Sequence, residues 1–317
     1  MLPATPAAAR PGAQHTVAPV IAVVGPTATG KSDLGLALAE RLGGEVVNAD
    51  ASQLYRGMDI GTAKLPVDGR RGIPHHQLDV LEVTDEASVA AYQRHARSDL
   101  AAIRSRGRRP VVVGGSGLYV RALVDQLDIP PTDPQVRARW EAALADRGVG
   151  AMYAELTDRD PAAAARIEPR NGRRIVRALE VIELTGRPFS ASLPRREFVE
   201  PTVLIGLRAD RAVLDARIAD RVDRMWRDGM LEEVAALERA GLREGRTASR
   251  ALGYAQALRQ LDGELTGEEA RADTVRMTRR FARRQESWFG PDPRTVWLEH
   301  DAPDLLDRAL AAVRDRA

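Results

Sequence analysis

One eight-residue stretch constrains this 317-residue chain more than any other: Gly25-Pro26-Thr27-Ala28-Thr29-Gly30-Lys31-Ser32. It fits the pattern G-x-x-x-x-G-K-[ST] without a mismatch. The apolar run Val20, Ile21, Ala22, Val23, Val24 precedes it and reads as a buried strand. Residues 33–42 follow with apolar side chains at helical spacing. Strand, glycine-rich loop and helix in that order are the context in which this motif binds phosphate. Loop N–H groups and the helix N-terminus form an anion cradle for a diphosphate or triphosphate. All but two of the 47 Lys and Arg residues are arginine, the exceptions being Lys31 and Lys64. A lysine kept inside the loop points to a site that wants a compact point charge. The motif leaves open which phosphate compound sits there.

Further short apolar runs at 45–48, 110–113, 202–207 and 295–298 read as core strands of a parallel sheet. Helical patterns separate most of them, which predicts an α/β fold. The expected architecture is a P-loop NTPase-like parallel sheet flanked by helices, with a helical insertion domain. Residues 18–129 and 201–317 form the expected catalytic core. Residues 130–200 carry Pro130-Pro131 and Arg- and Ala-rich helical segments without a clear strand, and read as the insertion. The alternative is that these helices cover the sheet. After the return, helices are expected at 212–228, 231–240, 254–261 and 268–288. Residues 1–17 are Ala/Pro-rich with no apolar signal core, and read as a disordered tail.

Composition narrows the setting. The absence of cysteine excludes disulfides and thiolate metal sites and fits a cytoplasmic protein. No apolar run is long enough to span a membrane. A net charge of +2 means that any nucleic-acid surface must be a local patch. No heptad stands out, so a monomer is expected.

Several residues carry candidate chemistry. Asp50 ends the second strand, where ligands of α/β sheets bind. It is a candidate general base, metal ligand or helix cap. The segment 51–64 that follows reads as a structured functional loop. After another strand, Gly114-Gly115-Ser116-Gly117 would let something approach the backbone closely, and Ser116 can offer a hydroxyl. Arg276, Arg279, Arg280, Arg283 and Arg284 fall at helical offsets that share one face. Between 271 and 284, six arginines face only Asp273, which favours a polyanion partner over a merely solvated face. If that face met five phosphates of single-stranded RNA, the log–log salt slope would be about −3.5. A second cluster comprises Arg166, Arg170, Arg173, Arg174 and Arg177. His75-His76 reads as either packing or loop-shaping and is given no metal.

These residues together resemble the bacterial tRNA dimethylallyltransferases (tRNA isopentenyltransferases, the IPP transferase family). The resemblance rests on Gly25 to Ser32, Asp50-Ala-Ser-Gln53, Tyr55-Arg-Gly-Met-Asp-Ile-Gly-Thr-Ala-Lys64, Pro74-His-His76, Gly114-Gly-Ser-Gly-Leu-Tyr119, Arg174-Ile-Val-Arg-Ala-Leu-Glu180, Gly253-Tyr254 and Arg283-Arg-Gln-Glu-Ser-Trp288. It runs in order from about residue 20 to 290. The string from Tyr55 to Lys64 is far more specific than the phosphate loop.

The resemblance implies transfer of a dimethylallyl group from dimethylallyl diphosphate to N6 of adenosine 37, in tRNAs reading codons that begin with U. It implies that residues Gly25, Pro26, Thr27, Ala28, Thr29, Gly30, Lys31 and Ser32 seat the diphosphate, with Ser32 helping to hold Mg²⁺. Asp50 matches the family's base, Ser116 a hydroxyl beside the substrate, and Arg221 a diphosphate-binding arginine. Lys31, Arg221, Asp50 and Ser116 are thus the implied catalytic set. Contact with the tRNA anticodon stem-loop is implied for Asp50, Ala51, Ser52, Gln53, Arg137, Arg173, Arg174, Gly253 and Tyr254. Arg280 and Arg284 of the arginine face join them. The chain departs from the family in having Ala51 where Ser is common, and Arg173 where some relatives have Gln. Without cysteines it lacks the zinc finger of eukaryotic relatives. The competing readings are an ATP-binding P-loop nucleotide or small-molecule kinase, and a nucleotide-dependent RNA-binding switch. Both explain the phosphate loop but leave the Tyr55 to Lys64 string unused.

Overall fold

The structure, a computed structural model, describes residues 18–192 and 196–316. The tail expected at 1–17 lies outside the described residues. In chain order the elements begin with β1 (Val20–Val24), α1 (Lys31–Leu42), β2 (Gly44–Asn48) and β3 (His75–His76). Then come α2 (Val89–Ser105), β4 (Arg109–Val113) and α3 (Gly117–Val124). The helices α4 (Pro134–Arg159), α5 (Pro161–Ala164) and α6 (Gly172–Thr185) follow. The chain returns through β5 (Thr202–Arg208), α7 (Arg211–Arg227), α8 (Met230–Arg239), α9 (Tyr254–Leu261) and α10 (Gly267–Phe289). It finishes with β6 (Thr295–Glu299) and α11 (Leu305–Arg314).

All six strands are parallel, in the order β3-β2-β4-β1-β5-β6. The central strand β1 is apolar throughout because helices cover both faces of the sheet. Val20, Ala22 and Val24 face α2 and α3, through Leu100, Ile103 and Leu123. Ile21 and Val23 face α1 and α11, through Leu38 and Leu310. Strand β3 is not among the apolar runs that mark the other strands. It has two residues, too few to show alternation. His75 Nδ1 lies 2.8 Å from Ile73 O, and His76 Nε2 lies 2.7 Å from Glu45 Oε2.

The helices α4 to α6 gather around a separate apolar cluster of Trp140, Met152, Leu156, Ile175 and Leu179. They therefore have a core of their own rather than covering the sheet. A third cluster was not expected. Tyr55 and Met58, from the loop after β2, pack with Met230, Val234, Leu237 and Tyr254 of α8 and α9. That cluster is the floor on which the functional loop rests.

Candidate active site

The phosphate loop joins β1 to α1. Ala28 sits in the left-handed region at φ 64°, and its carbonyl accepts from Arg217 Nε at 2.7 Å. Thr29 Oγ1 donates to Pro26 O at 2.9 Å, which holds the loop in a turn. Lys31 Nζ donates to the same carbonyl at 2.6 Å. From α7, Arg221 reaches in. Its Nη1 donates to Thr27 Oγ1 and its Nη2 to Thr62 O, each at 3.1 Å.

Two cations thus converge on one loop. Burial, then repulsion from Arg221, lowers the Lys31 pKa from 10.5 to about 7, against the pull of Asp50. Burial also lowers Arg221, with Asp50 opposing and Arg224 adding to the effect. Such a pair is short of negative charge, which an anionic ligand supplies.

Asp50 follows β2 directly. Its Oδ1 accepts from Ser52 N–H at 3.0 Å and caps the short turn Ala51–Leu54. Asn48 fixes the backbone there, accepting from Asp50 N–H and donating to Asp50 O, both at 2.9 Å. The cap and the general-base readings are therefore compatible. One carboxylate oxygen holds the turn, and Oδ2 has no protein donor among the described residues. Ser116 ends the loop after β4, and its Oγ accepts from Ala51 N–H at 3.1 Å. With that lone pair used, the hydroxyl proton is left for an acceptor in the pocket. Position 51 contributes its backbone, so Ala serves that bond as well as Ser.

The small residues at 114–117 have specific neighbours. A Cβ on Gly114 would lie 2.3 Å from the Ala49 backbone, and one on Gly117 2.1 Å from the Trp288 ring. The end of β2 and helix α10 are what approach there.

The loop from Tyr55 to Lys64 is pinned from two sides. Lys64 Nζ donates to Tyr55 O at 2.8 Å and to Asp59 and Asp79 carboxylates at 2.6 Å each. Three donors meet three acceptors, so the second lysine of the chain is structural. From α8, the Glu233 carboxylate accepts from the N–H groups of Asp59, Ile60 and Gly61 at 3.1, 2.8 and 3.3 Å. Tyr254 OH donates to the same carboxylate at 2.5 Å. The pinned loop presents Thr62 O to Arg221 and to Gln53 Nε2, the latter at 3.2 Å. This corrects the expectation for Tyr254. Its side chain is wholly buried under the loop, and Gly253 beside it is buried too, so neither offers a surface to RNA.

These parts enclose a pocket of about 480 Å³. One end holds Thr27, Asp50, Ser52, Thr62, Ser116 and Arg221. One wall is apolar, formed by Ile218, Val222 and Met225 of α7 with Leu252, Met277 and Phe281. The mouth carries Arg173, Arg246, Arg250 and Arg284. A larger hollow, about 850 Å³ between Asp223, Trp226 and Arg271, contains none of these polar groups.

The arginine face of α10 is smaller than its sequence suggests. Arg276 is tied to Asp273, and Arg279 packs against Asp215 of α7, donating to its carbonyl at 3.1 Å. The acidic compensation came from another helix, which a one-dimensional count cannot see. Arg280, Arg283 and Arg284 remain exposed without a carboxylate partner among the described residues. In the insertion, Arg173 reaches the pocket mouth and Arg174 is exposed. Arg137 is instead bound to Glu180. Burial pushes the Glu180 carboxyl up, but Thr132, Arg137 and Arg177 outweigh it and hold the group below its ordinary value. Arg137 therefore braces the insertion rather than standing free.

Sequence reading overlooked Arg246 and Arg250, which no periodicity marks. It also overlooked Glu233, which looks like any solvated acid on an amphipathic helix, and Thr62 as an acceptor. Ser32 is exposed at the start of α1 and has no hydrogen-bond partner among the described residues. No cluster of three His, Cys, Asp or Glu side chains able to chelate a metal occurs among the described residues. The exposed Ser32 hydroxyl fits a Mg²⁺ that keeps its waters and is carried on phosphate oxygens.

Residues 53–292 match a family model described as IPP transferase. A tRNA dimethylallyltransferase from Thermobifida fusca is 64% identical over 299 residues, covering 93% of this chain and 94% of that protein. One from Streptomyces avermitilis is 64% identical over 288 residues, covering 91% and 92%. A tRNA isopentenylpyrophosphate transferase from Bacillus halodurans has a similar structure. Its TM-score is 0.69 at 37% identity, with 94% of this chain and 98% of that one covered. A eukaryotic dimethylallyltransferase solved acting on tRNA gives a TM-score of 0.77 at 27% identity, covering 92% and 76%.

Proposed function

The chain belongs to the IPP transferase family, and from that premise we propose how its pocket moves a dimethylallyl group onto tRNA. The chain is a tRNA-prenylating enzyme. The donor is dimethylallyl diphosphate and the acceptor N6 of adenosine 37, in tRNAs whose anticodons read codons beginning with U. The observation that carries this reading is one pocket that brings together Thr27 of the phosphate loop, the Arg221 guanidinium bonded to it, an apolar wall and the free carboxylate oxygen of Asp50.

The diphosphate sits on the phosphate loop, against Lys31 and Arg221. The five-carbon group lies along Ile218, Val222 and Met225. Adenine must leave its stack to reach this depth, as bases do in enzymes that modify them. The N6 lone pair attacks C1 of the allyl group, the C1–O bond breaks, and its electron pair leaves on the diphosphate. Lys31, Arg221 and the loop N–H groups hold the charge that develops there. Asp50 Oδ2 takes the proton that N6 gives up, help typically worth about 10²–10⁴-fold. The Ser116 hydroxyl donates to the adenine or to the diphosphate and fixes its pose. Ser32 would hold Mg²⁺, which supplies further neutralisation of the leaving diphosphate when bound. The arginines at the mouth meet the phosphates of the anticodon loop. The apolar wall suits a hydrocarbon better than the second polar substrate of a kinase.

One assay tests this. The protein is incubated with Mg²⁺, labelled dimethylallyl diphosphate and an anticodon stem-loop carrying adenosines at 36, 37 and 38. Label is expected on the central adenosine. Folded protein that transfers none, with intact substrates, overturns the reading. Phosphate release from ATP under the same conditions favours the kinase.

A further inference from the structure

Gln285 lies on α10 and is 4% exposed. Its Oε1 accepts from Thr27 N–H, in the phosphate loop, at 2.8 Å. Its Nε2 donates to Gly115 O, in the loop after β4, at 3.0 Å. One amide thus ties together three segments that are far apart in sequence. A Cβ on Gly115 would stand 2.1 Å from Gln285 Nε2, so the glycine is what lets the amide reach that carbonyl. The chemistry demands glutamine. Glutamate could accept from Thr27 but would set a carboxylate against the Gly115 carbonyl, and methionine could do neither.

Thr27 is gripped from both ends. Gln285 holds its N–H, and Arg221 holds its Oγ1 at 3.1 Å. Gly115 is joined to Ser116, whose hydroxyl faces the pocket. The pairing of β1 with β4, continued by Gly114 N–H donating to Val23 O at 3.2 Å, sets the two loops side by side, and the Gln285 amide bridges them beyond the strand ends. The same helix supplies Met277, Phe281 and Arg284 to the pocket.

We infer that Gln285 is a positioning residue that keeps the diphosphate cradle and the acceptor-side loop in register, so that filling one prepares the other. The inference rests on the prenyl-transfer reading. It uses no contact between Gln285 and substrate. A misplacement of about 1 Å between reacting groups can cost about 10²-fold in rate.

The test uses Gln285→Met, Gly115→Ala, Gln285→Ala and the double variant Gln285→Ala/Gly115→Ala. Gln285→Met is expected to lower kcat about 10²-fold while KM for each substrate changes less than about threefold. Gly115→Ala should do the same, because its methyl displaces the amide. In the double variant the methyl enters vacated space, so the second substitution should add little to the first. A binding measurement keeps the result independent of chemistry. Inorganic diphosphate should tighten stem-loop binding to the wild-type protein, and Gln285→Met should abolish that tightening while each ligand alone still binds. Unchanged kcat in Gln285→Met overturns the inference. So do additive losses in the double variant, or a loss that merely tracks Tm. If wild-type protein transfers no label, the prenyl-transfer reading fails. The binding cycle still decides whether Gln285 couples the two sites.

Discussion

The depressed pKa of Lys31 gives a pH signature for diphosphate binding. Its ammonium falls from an ordinary 10.5 to about 7 because burial strips its water and Arg221 repels it, with Asp50 only partly offsetting both. A diphosphate on the loop places negative charge beside the ammonium and returns its pKa well above neutrality. Binding above pH 7 must then take up a proton. With a free pKa near 7, the uptake at this site is about 0.5 proton at pH 7 and about 0.9 at pH 8. Affinity should accordingly fall about tenfold per pH unit above 7.5. Lys31→Arg keeps its charge throughout, so this component vanishes. Titration of the diphosphate itself is common to both proteins and cancels in the comparison. Calorimetry with inorganic diphosphate at pH 8, in two buffers of different ionisation enthalpy, reads the uptake directly. Equal uptake by wild type and Lys31→Arg would refute the reasoning. Folding carries the same signature with its own sign. A lysine whose folded pKa is lowered costs the fold fully below pH 7. Between pH 7 and about 10.5 the unfolded chain binds more protons, so stability rises with pH. Lys31→Met should lose that slope in denaturant titrations of the ligand-free protein.

Asp50→Ala should cost about 10²–10⁴-fold in kcat and leave stem-loop affinity within about threefold, measured by single-turnover transfer and by filter binding. Equal losses in both would make Asp50 an RNA contact or a structural cap. Removing Arg280 or Arg284 should each lower the magnitude of the log–log salt slope of RNA binding by about 0.7, whereas Arg276→Ala, tied to Asp273, should leave it unchanged. A matching change in Arg276→Ala would reject the division of that face. Tyr254→Phe removes a buried donor from Glu233 and should cost about 1–3 kcal/mol of stability by chemical denaturation, with RNA affinity intact. Loss of RNA binding without loss of stability would restore Tyr254 as a contact.

The phosphate loop was legible because every requirement is local. Its residues, the strand before it and the helix after it lie within 23 consecutive positions, Val20 to Leu42. The large strands were legible for a related reason. A parallel sheet buried on both faces needs continuous apolar runs, and those stand out against helical spacing. Position at the strand ends singled out Asp50 and Ser116, and resemblance along the chain gave them roles and added Arg221, residues whose identity is informative but whose meeting is not written in their spacing.

Tertiary structure decided what each of these groups is free to do. Charge on α10 looked uncompensated until Asp215 arrived from α7. Arg137 looked available until Glu180 claimed it. Tyr254 and the loop it supports are 190 or more residues apart in sequence, and only packing shows the tyrosine lying beneath that loop. Gln285 joins positions 258 and 170 residues away with a single amide. A hydrogen bond or ion pair between distant segments leaves no periodic trace in either one. The sequence could therefore specify which chemical groups the site contains, but not which of them are left unpartnered to meet a ligand.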